Sequence, residues 1–326
     1  MFRRRRINGL PGLLEIVAGL VLLWTIGFLL TGDHLSPVRL GVYAAPLIMI
    51  VAGLLSVWAL WRRARALALA LSAVAGGLFL AQGPPLVRAM ATPSEIAAPG
   101  ALVVLSLSNR TMNQDMRTTA RMLRAEEADL IVLQEVADTA ALMREVTTLP
   151  GPDLFACAHG SFMILSRFPV AAPRPGVWHG ALICDVDMPG GSVAVASVHL
   201  PRAVASKADQ DRVITHLLDV LARIQGPKIV AGDFNATPLT TPIRRVERHM
   251  LNAFAQAGRG FGFTFPTPAR RIGAIGPFLT IDYIFHSEAF ATVSAEVLDT
   301  HPKAADHFPI RAVLRRSITK AAEGTI

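Results

Sequence analysis

The sequence predicts a layered α/β (α+β) domain preceded by three transmembrane helices. Three observations carry this expectation. Hydrophobic residues make up 52% of the 326-residue chain, and they are concentrated near its N-terminus. Beyond residue 100 the pattern changes to short apolar runs that alternate with amphipathic stretches. Several of those runs read as hairpin-like strands joined by Gly/Pro turns, which points to packed layers rather than a simple doubly wound sheet.

The first 82 residues form the membrane region, with apolar stretches at about 11–31, 40–61 and 66–82. A helix needs about 20 apolar residues to cross a bilayer, with a lower limit near 17. The first two stretches meet this and the third sits at the limit. Arg3–Arg6 precede the first span, and Arg62, Arg63 and Arg65 lie between the second and third. Three spans put both clusters on one side, which the positive-inside rule makes cytoplasmic. The expected location is a bacterial inner membrane, multi-pass, with a cytoplasmic N-terminus and the following domain periplasmic or extracytoplasmic. A cleaved signal peptide is the competing reading, disfavoured by the two further spans and the lack of a small-residue cleavage site. Glu15, near the start of the first span, is expected to reach the interface rather than to mark a transport path.

Residues 83–100, rich in proline, read as a linker, residues 101–315 as the main domain and 316–326 as a tail. Strands are expected at 101–108, 129–135, 162–166, 181–188, 193–200, 228–234, 280–286 and 306–314. Helices are expected at 115–127, 138–148 and 206–224; in the last, Val213, Leu217, Val220 and Ile224 share a face. The net charge is +8, of which +6 belongs to residues 1–99. The remainder is close to neutral, so basicity gives little support to a nucleic-acid partner. Two cysteines, Cys157 and Cys184, are too few for a disulfide framework or a four-thiolate metal site. Two buried, unbonded apolar side chains is the favoured reading over a single disulfide.

Polar residues cluster at the ends of the predicted strands. Asn109 follows the first, Glu135 ends DLIVLQE, His199 ends VAVASVHL, and Asp233 and Asn235 follow KIVAG. Asp282 interrupts LTIDYIF, and Asp306 and His307 open the last strand. Singly, each is explained as a turn former, a helix cap or a satisfied polar side chain. Asp282 is harder to dismiss, because a carboxylate among apolar residues needs a partner. His307 is the candidate.

Taken in order, Asn109, Glu135, Gly232-Asp233-Phe234-Asn235, Asp282 within IDYIF and Asp306-His307 resemble the motifs of the endonuclease/exonuclease/phosphatase superfamily. The stretches DLIVLQEV, GSFMILSRFPV, VHL, KIVAGDFNATP, TIDYIFHS and ADHFPI agree, and the resemblance spans about residues 101–315. It implies a four-layer sandwich, with two mixed sheets face to face and helices outside. It implies a divalent metal, Mg²⁺ or Mn²⁺, on Glu135 with Asn109, and with Asp306 directly or through water. It further implies that Asp233 and Asn235 position the attacking water or stabilise the pentavalent phosphorus, that Asp282 orients His307, and that His199 serves the leaving-group side. Thr111 stands where the abasic-site endonuclease branch usually has an acidic residue, which argues against a DNA-repair role.

The expected function is a membrane-anchored, metal-dependent hydrolase of phosphoester bonds. Nucleic acid, a lipid head group and a small phosphoester are the candidate substrates. The expected partners are the bilayer and that substrate, with no obligate protein partner. The alternative is a catalytically silent binding or scaffold protein on the same fold; the completeness of the site argues against it.

Overall fold

A computed structural model describes residues 10–82, 100–110, 115–174 and 180–317. Arg3–Arg6, the linker apart from Gly100, Thr111 and the tail beyond Ser317 lie outside the described residues. The chain divides into two compact units, Met1–Gly83 with Leu239–Thr241, and Pro84–Pro238 with Pro242–Ile326.

In the first unit, α1 (Leu10–Thr31) is a 22-residue apolar helix. Only 11% of its most apolar window is buried. The second predicted span is not one helix. It breaks at Ala44 into α2 (Ser36–Tyr43) and α3 (Ala45–Trp61), which meet at 81°. The cause is Pro46: it has no N–H to give to the preceding turn, and its ring is tolerated only at a helix start. α4 (Arg65–Ala81) has 17 residues. By length and apolarity one described helix qualifies as a membrane span, or two if the bent pair counts as one, rather than three. α3 and α4 are joined by Ser56, whose hydroxyl donates to the Ala68 carbonyl at 3.0 Å and lies 2.7 Å from Ser72 Oγ. Leu20, Leu23, Leu54, Leu60, Leu69 and Leu80 are exposed.

The second unit holds two mixed sheets. β1 (Ala101–Ser108), β2 (Leu130–Gln134), β3 (Phe155–His159), β4 (Phe162–Ser166), β10 (Phe290–Val297) and β11 (Ile310–Arg316) form one, ordered β10-β11-β1-β2-β4-β3. β5 (Ala181–Met188), β6 (Gly191–His199), β7 (Lys228–Asp233), β8 (Leu251–Asn252) and β9 (Asp282–His286) form the other, ordered β5-β6-β7-β9-β8. Strand alternation sends Val104, Val132, Ile164, Val195, Ile229 and Ile284 into the core between the sheets. The opposite face of the first sheet, with Leu105, Ile131 and Leu133, packs with α5 (Met116–Ala125) and α6 (Thr139–Thr148). The opposite face of the second packs with Ile214 and Leu217 of α7 (Lys207–Arg223). Four layers result.

Two devices register the sheets. Gln134 Nε2 donates to Ser197 Oγ at 3.0 Å, and that hydroxyl donates to the Leu133 carbonyl at 2.8 Å, all of it buried. At the far edge, Cys157 of β3 is bonded to Cys184 of β5. This corrects the reading of two unbonded apolar side chains: the strands pair in different sheets, and only their packing brings the Cα atoms to 6.6 Å. The last predicted strand also begins late, at Ile310, because Pro309 has no N–H for a ladder bond.

The disulfide closes a span of 27 residues, for which the chain-entropy relation gives about 3.5 kcal/mol. A Cys157→Ser/Cys184→Ser chain is expected to be less stable by that amount and so to unfold at lower denaturant concentration, and reductant should shift the parent but not the variant. Equal midpoints for both would remove the bridge from the account.

Candidate active site

Each sheet is centred on one parallel strand pair, β1 with β2 and β6 with β7. The pairs deliver their C-terminal ends to the same rim. On the first sheet, Ser108 pairs with Gln134, so Asn109 and Glu135 emerge side by side, with the Asn109 amide donating to the Gln134 carbonyl at 3.0 Å. On the second, His199 pairs with Asp233, and Asp233 with Asp282 across the antiparallel β9. Antiparallel β11 starts at this rim, which brings in the preceding turn with Asp306 and His307.

The GDFN turn has a separate reason for each residue. Gly232 has φ +144°, and a Cβ there would lie 2.0 Å from the Val198 carbonyl oxygen. Only glycine allows that approach. Phe234 is fully buried, edge-on to Tyr283 at 5.6 Å and to Phe285 at 5.3 Å. Asn235 takes φ +45°, and its backbone N–H donates to Asp233 Oδ1 at 2.7 Å. Its Nδ2 donates to the Leu200 carbonyl at 2.9 Å and to Asp233 Oδ2 at 3.1 Å. Glu135 also sits in the left-handed region, at φ +56°. Such residues cost of order 1–2 kcal/mol and persist where the surroundings demand them.

Asp233, Asp282 and His307 are buried together. His307 Nδ1 donates to Asp282 Oδ2 at 2.8 Å, which leaves Nε2 3.7 Å from Asp233 Oδ2 and 4.0 Å from Asp306 Oδ1. Burial would pull the His307 pKa down, but the charges of Asp282, Asp233 and Asp306 outweigh it and push it up to about 10. Burial raises Asp233 to about 6, opposed by His307, reinforced by Asp282 and opposed again by His199. The imidazole is therefore a cation at neutral pH, and Asp233 is a carboxylate poised near the middle of the biological range. His199 bridges the sheets, its Nε2 3.3 Å from Glu135 Oε1 and 3.6 Å from Asp233 Oδ2. It is 25% exposed, and a cleft of about 430 Å³ opens beside it, lined by Phe162, Leu200, Pro201, Arg202 and Asn235.

Among the described residues one group of side chains brings ligand atoms close enough together for a cation, and other residues of the rim offer oxygen donors. Asp233, Asp282 and His307 place one ligand atom each within 4.8 Å of one another. In this group His307 Nδ1 already donates to Asp282, so a cation there would be met by Nε2, 3.7 Å from Asp233 Oδ2. Glu135, Asn109 and Asp306 offer only oxygen donors, the set that hard divalent cations take. All eight residues singled out in the sequence therefore lie at one rim. Arg270 was missed: its Nε is 2.6 Å from Asp306 Oδ2. So was Thr264, whose hydroxyl accepts the Ile281 and Asp282 amides, each at 3.3 Å. Both sit in an irregular stretch before β9, where no periodicity marks a position.

The sequence profile of the Endonuclease/Exonuclease/phosphatase family matches residues 104–307. A search of curated proteins finds no match. Among solved structures, an endonuclease/exonuclease/phosphatase from Beutenbergia cavernae is 23% identical, covering 66% of this chain and 72% of that one, with a TM-score of 0.50. A family protein from Leptotrichia buccalis is 15% identical over 65% and 98% (TM-score 0.51). D. rerio TDP2, solved with a single-strand DNA product, is 17% identical over 66% and 99% (TM-score 0.52). At these identities the structures attest the fold alone.

Asp282→Asn keeps an oxygen that can accept from His307 Nδ1 but removes the negative charge that sustains the imidazolium. Turnover of a phosphodiester is expected to fall by about a hundredfold or more, with the far-UV circular dichroism unchanged. An unimpaired rate would take the pair out of the chemistry.

Proposed function

The chain belongs to the endonuclease/exonuclease/phosphatase family, and on that premise we propose that it hydrolyses phosphoester bonds with a divalent metal at a site held outside the cytoplasm. One observation carries the reading: a buried Asp233, an Asp282-held His307, a half-buried His199 and an oxygen-donor set at Glu135 meet at one rim. A fold kept only for binding has no use for a buried histidine facing three carboxylates.

Glu135 and Asn109, with Asp306, would hold the ion, and the ion would neutralise charge on the phosphoryl oxygens. Mg²⁺ or Mn²⁺ suits those donors. Asp233 takes a proton from water as its oxygen bonds to phosphorus, and Asn235 fixes the orientation of that carboxylate. His307 donates Nε2–H to a phosphoryl oxygen, its charge sustained by Asp282. As the bond from phosphorus to the leaving oxygen breaks, His199 returns a proton to that oxygen from the cleft side. The net change is water plus ester to alcohol plus phosphate.

Two features support this placement. α1 is long and apolar enough to cross a membrane. The Cys157–Cys184 bond fits an oxidising compartment. The bilayer and the phosphoester are the proposed partners, with no obligate protein partner. The near-neutral second unit argues against tight binding of long nucleic acid, which needs many cationic phosphate contacts.

Glu135→Gln keeps the side chain's size but removes its charge. Mg²⁺-dependent hydrolysis of bis-p-nitrophenyl phosphate by the full chain is expected to disappear; retained activity with the parental metal dependence would sink the assignment. For placement, alkaline phosphatase fused after Ile326 is expected to be active in cells. An inactive fusion of normal abundance would put the C-terminus in the cytoplasm.

A further inference from the structure

Among the described residues of the second unit, four large hydrophobic side chains are strongly exposed: Phe155, Val204, Ile272 and Ile275. Two of the four share one five-residue 3-10 turn, Arg271–Ile275, with Ile272 55% and Ile275 76% exposed. Arg271 beside them is exposed too.

The turn is braced. The Arg270 amide donates to the Thr267 carbonyl at 3.1 Å, Gly273 to Arg270 at 2.9 Å and Gly276 to Gly273 at 3.0 Å. Gly273 lies so close to Thr267 that a Cβ would be 1.9 Å from its carbonyl oxygen. The same segment is fastened to the site: Thr267 N–H donates to the Asp306 carbonyl at 2.9 Å, Thr267 Oγ1 to the Ala305 carbonyl at 2.7 Å, and Arg270 pairs with the Asp306 carboxylate. Two isoleucines are thus presented on a rigid tip, one short turn from the wall of the catalytic rim.

We propose that this turn is a docking surface for an anionic lipid bilayer, which delivers a lipid phosphodiester head group to the site. Apolar side chains flanked by arginine suit the boundary between acyl chains and anionic head groups. The occupant is argued from charge complementarity, with the exposed Arg271 suited to anionic head groups, and from the presence in the same chain of α1, a helix long and apolar enough to cross a bilayer. The substrate class rests on the phosphoesterase reading; the docking does not.

Cys157 and Cys184 are bonded, so Ile275→Cys introduces a single free thiol for an environment-sensitive fluorophore. The labelled full chain is placed in nanodiscs of phosphatidylcholine and phosphatidylglycerol, with or without brominated acyl chains. Bromolipid is expected to quench the label at 275 and not at a Thr147→Cys control. Ile272→Ser/Ile275→Ser should slow hydrolysis of lipid in vesicles by about tenfold or more, with bis-p-nitrophenyl phosphate turnover unchanged. Absence of quenching at 275 overturns the proposal, as does an emission change that tracks protein concentration without a bilayer, which would assign the turn to a second copy. Quenching with undiminished lipid hydrolysis in the double serine variant overturns the link to substrate. A parent that turns over neither substrate refutes the phosphoesterase reading alone, because quenching still decides the docking.

Discussion

The hydrogen bond from His307 to Asp282 is the interaction on which the rest of the site depends. Asp282 opens β9 in one sheet, and His307 lies in the turn that leads into β11 of the other. Their contact therefore closes the two sheets across the catalytic rim. Ion pairs of this kind are not kept for stability, since burying two charges costs about as much as their attraction returns. What the pair secures is the orientation of the imidazole at a fixed place. Asp233 beside it is held in turn by both nitrogens of Asn235, so both carboxylates and the imidazole are set by one closely packed network.

That network was legible in the sequence because its members sit at strand ends. A polar residue after an apolar run is conspicuous, and six such places in order leave little freedom. The strands themselves were legible where both faces are buried, as in β1, β2 and β7. β3 was not: four of its five residues are partly or fully exposed, and FACAH lacks any clear pattern. β10 was missed for the same reason, its outer positions being small or polar. Arg270 had no local signal, because its partner Asp306 is far along the chain and the loop between carries no period.

Two misreadings have different causes. Hydropathy counts proline among tolerated residues and is blind to the missing N–H of Pro46, so a broken helix looked continuous. Cysteine pairing is set by the packing of two sheets, which spacing along the chain does not report. The broken second helix leaves α1 as the one described helix that qualifies alone as a span, and the proposed placement rests on it and on the disulfide.

The central claim is that Asp282 and His307 form a hydrogen-bonded unit that handles charge and protons, while the cation belongs to the oxygen donors of the opposite sheet. Anomalous diffraction from crystals of the full chain grown with Mn²⁺ tests it most directly. The account predicts a peak bounded by the Glu135 carboxylate and the Asn109 side chain, with His307 still bonded to Asp282. A peak enclosed by Asp233, Asp282 and His307 would contradict it.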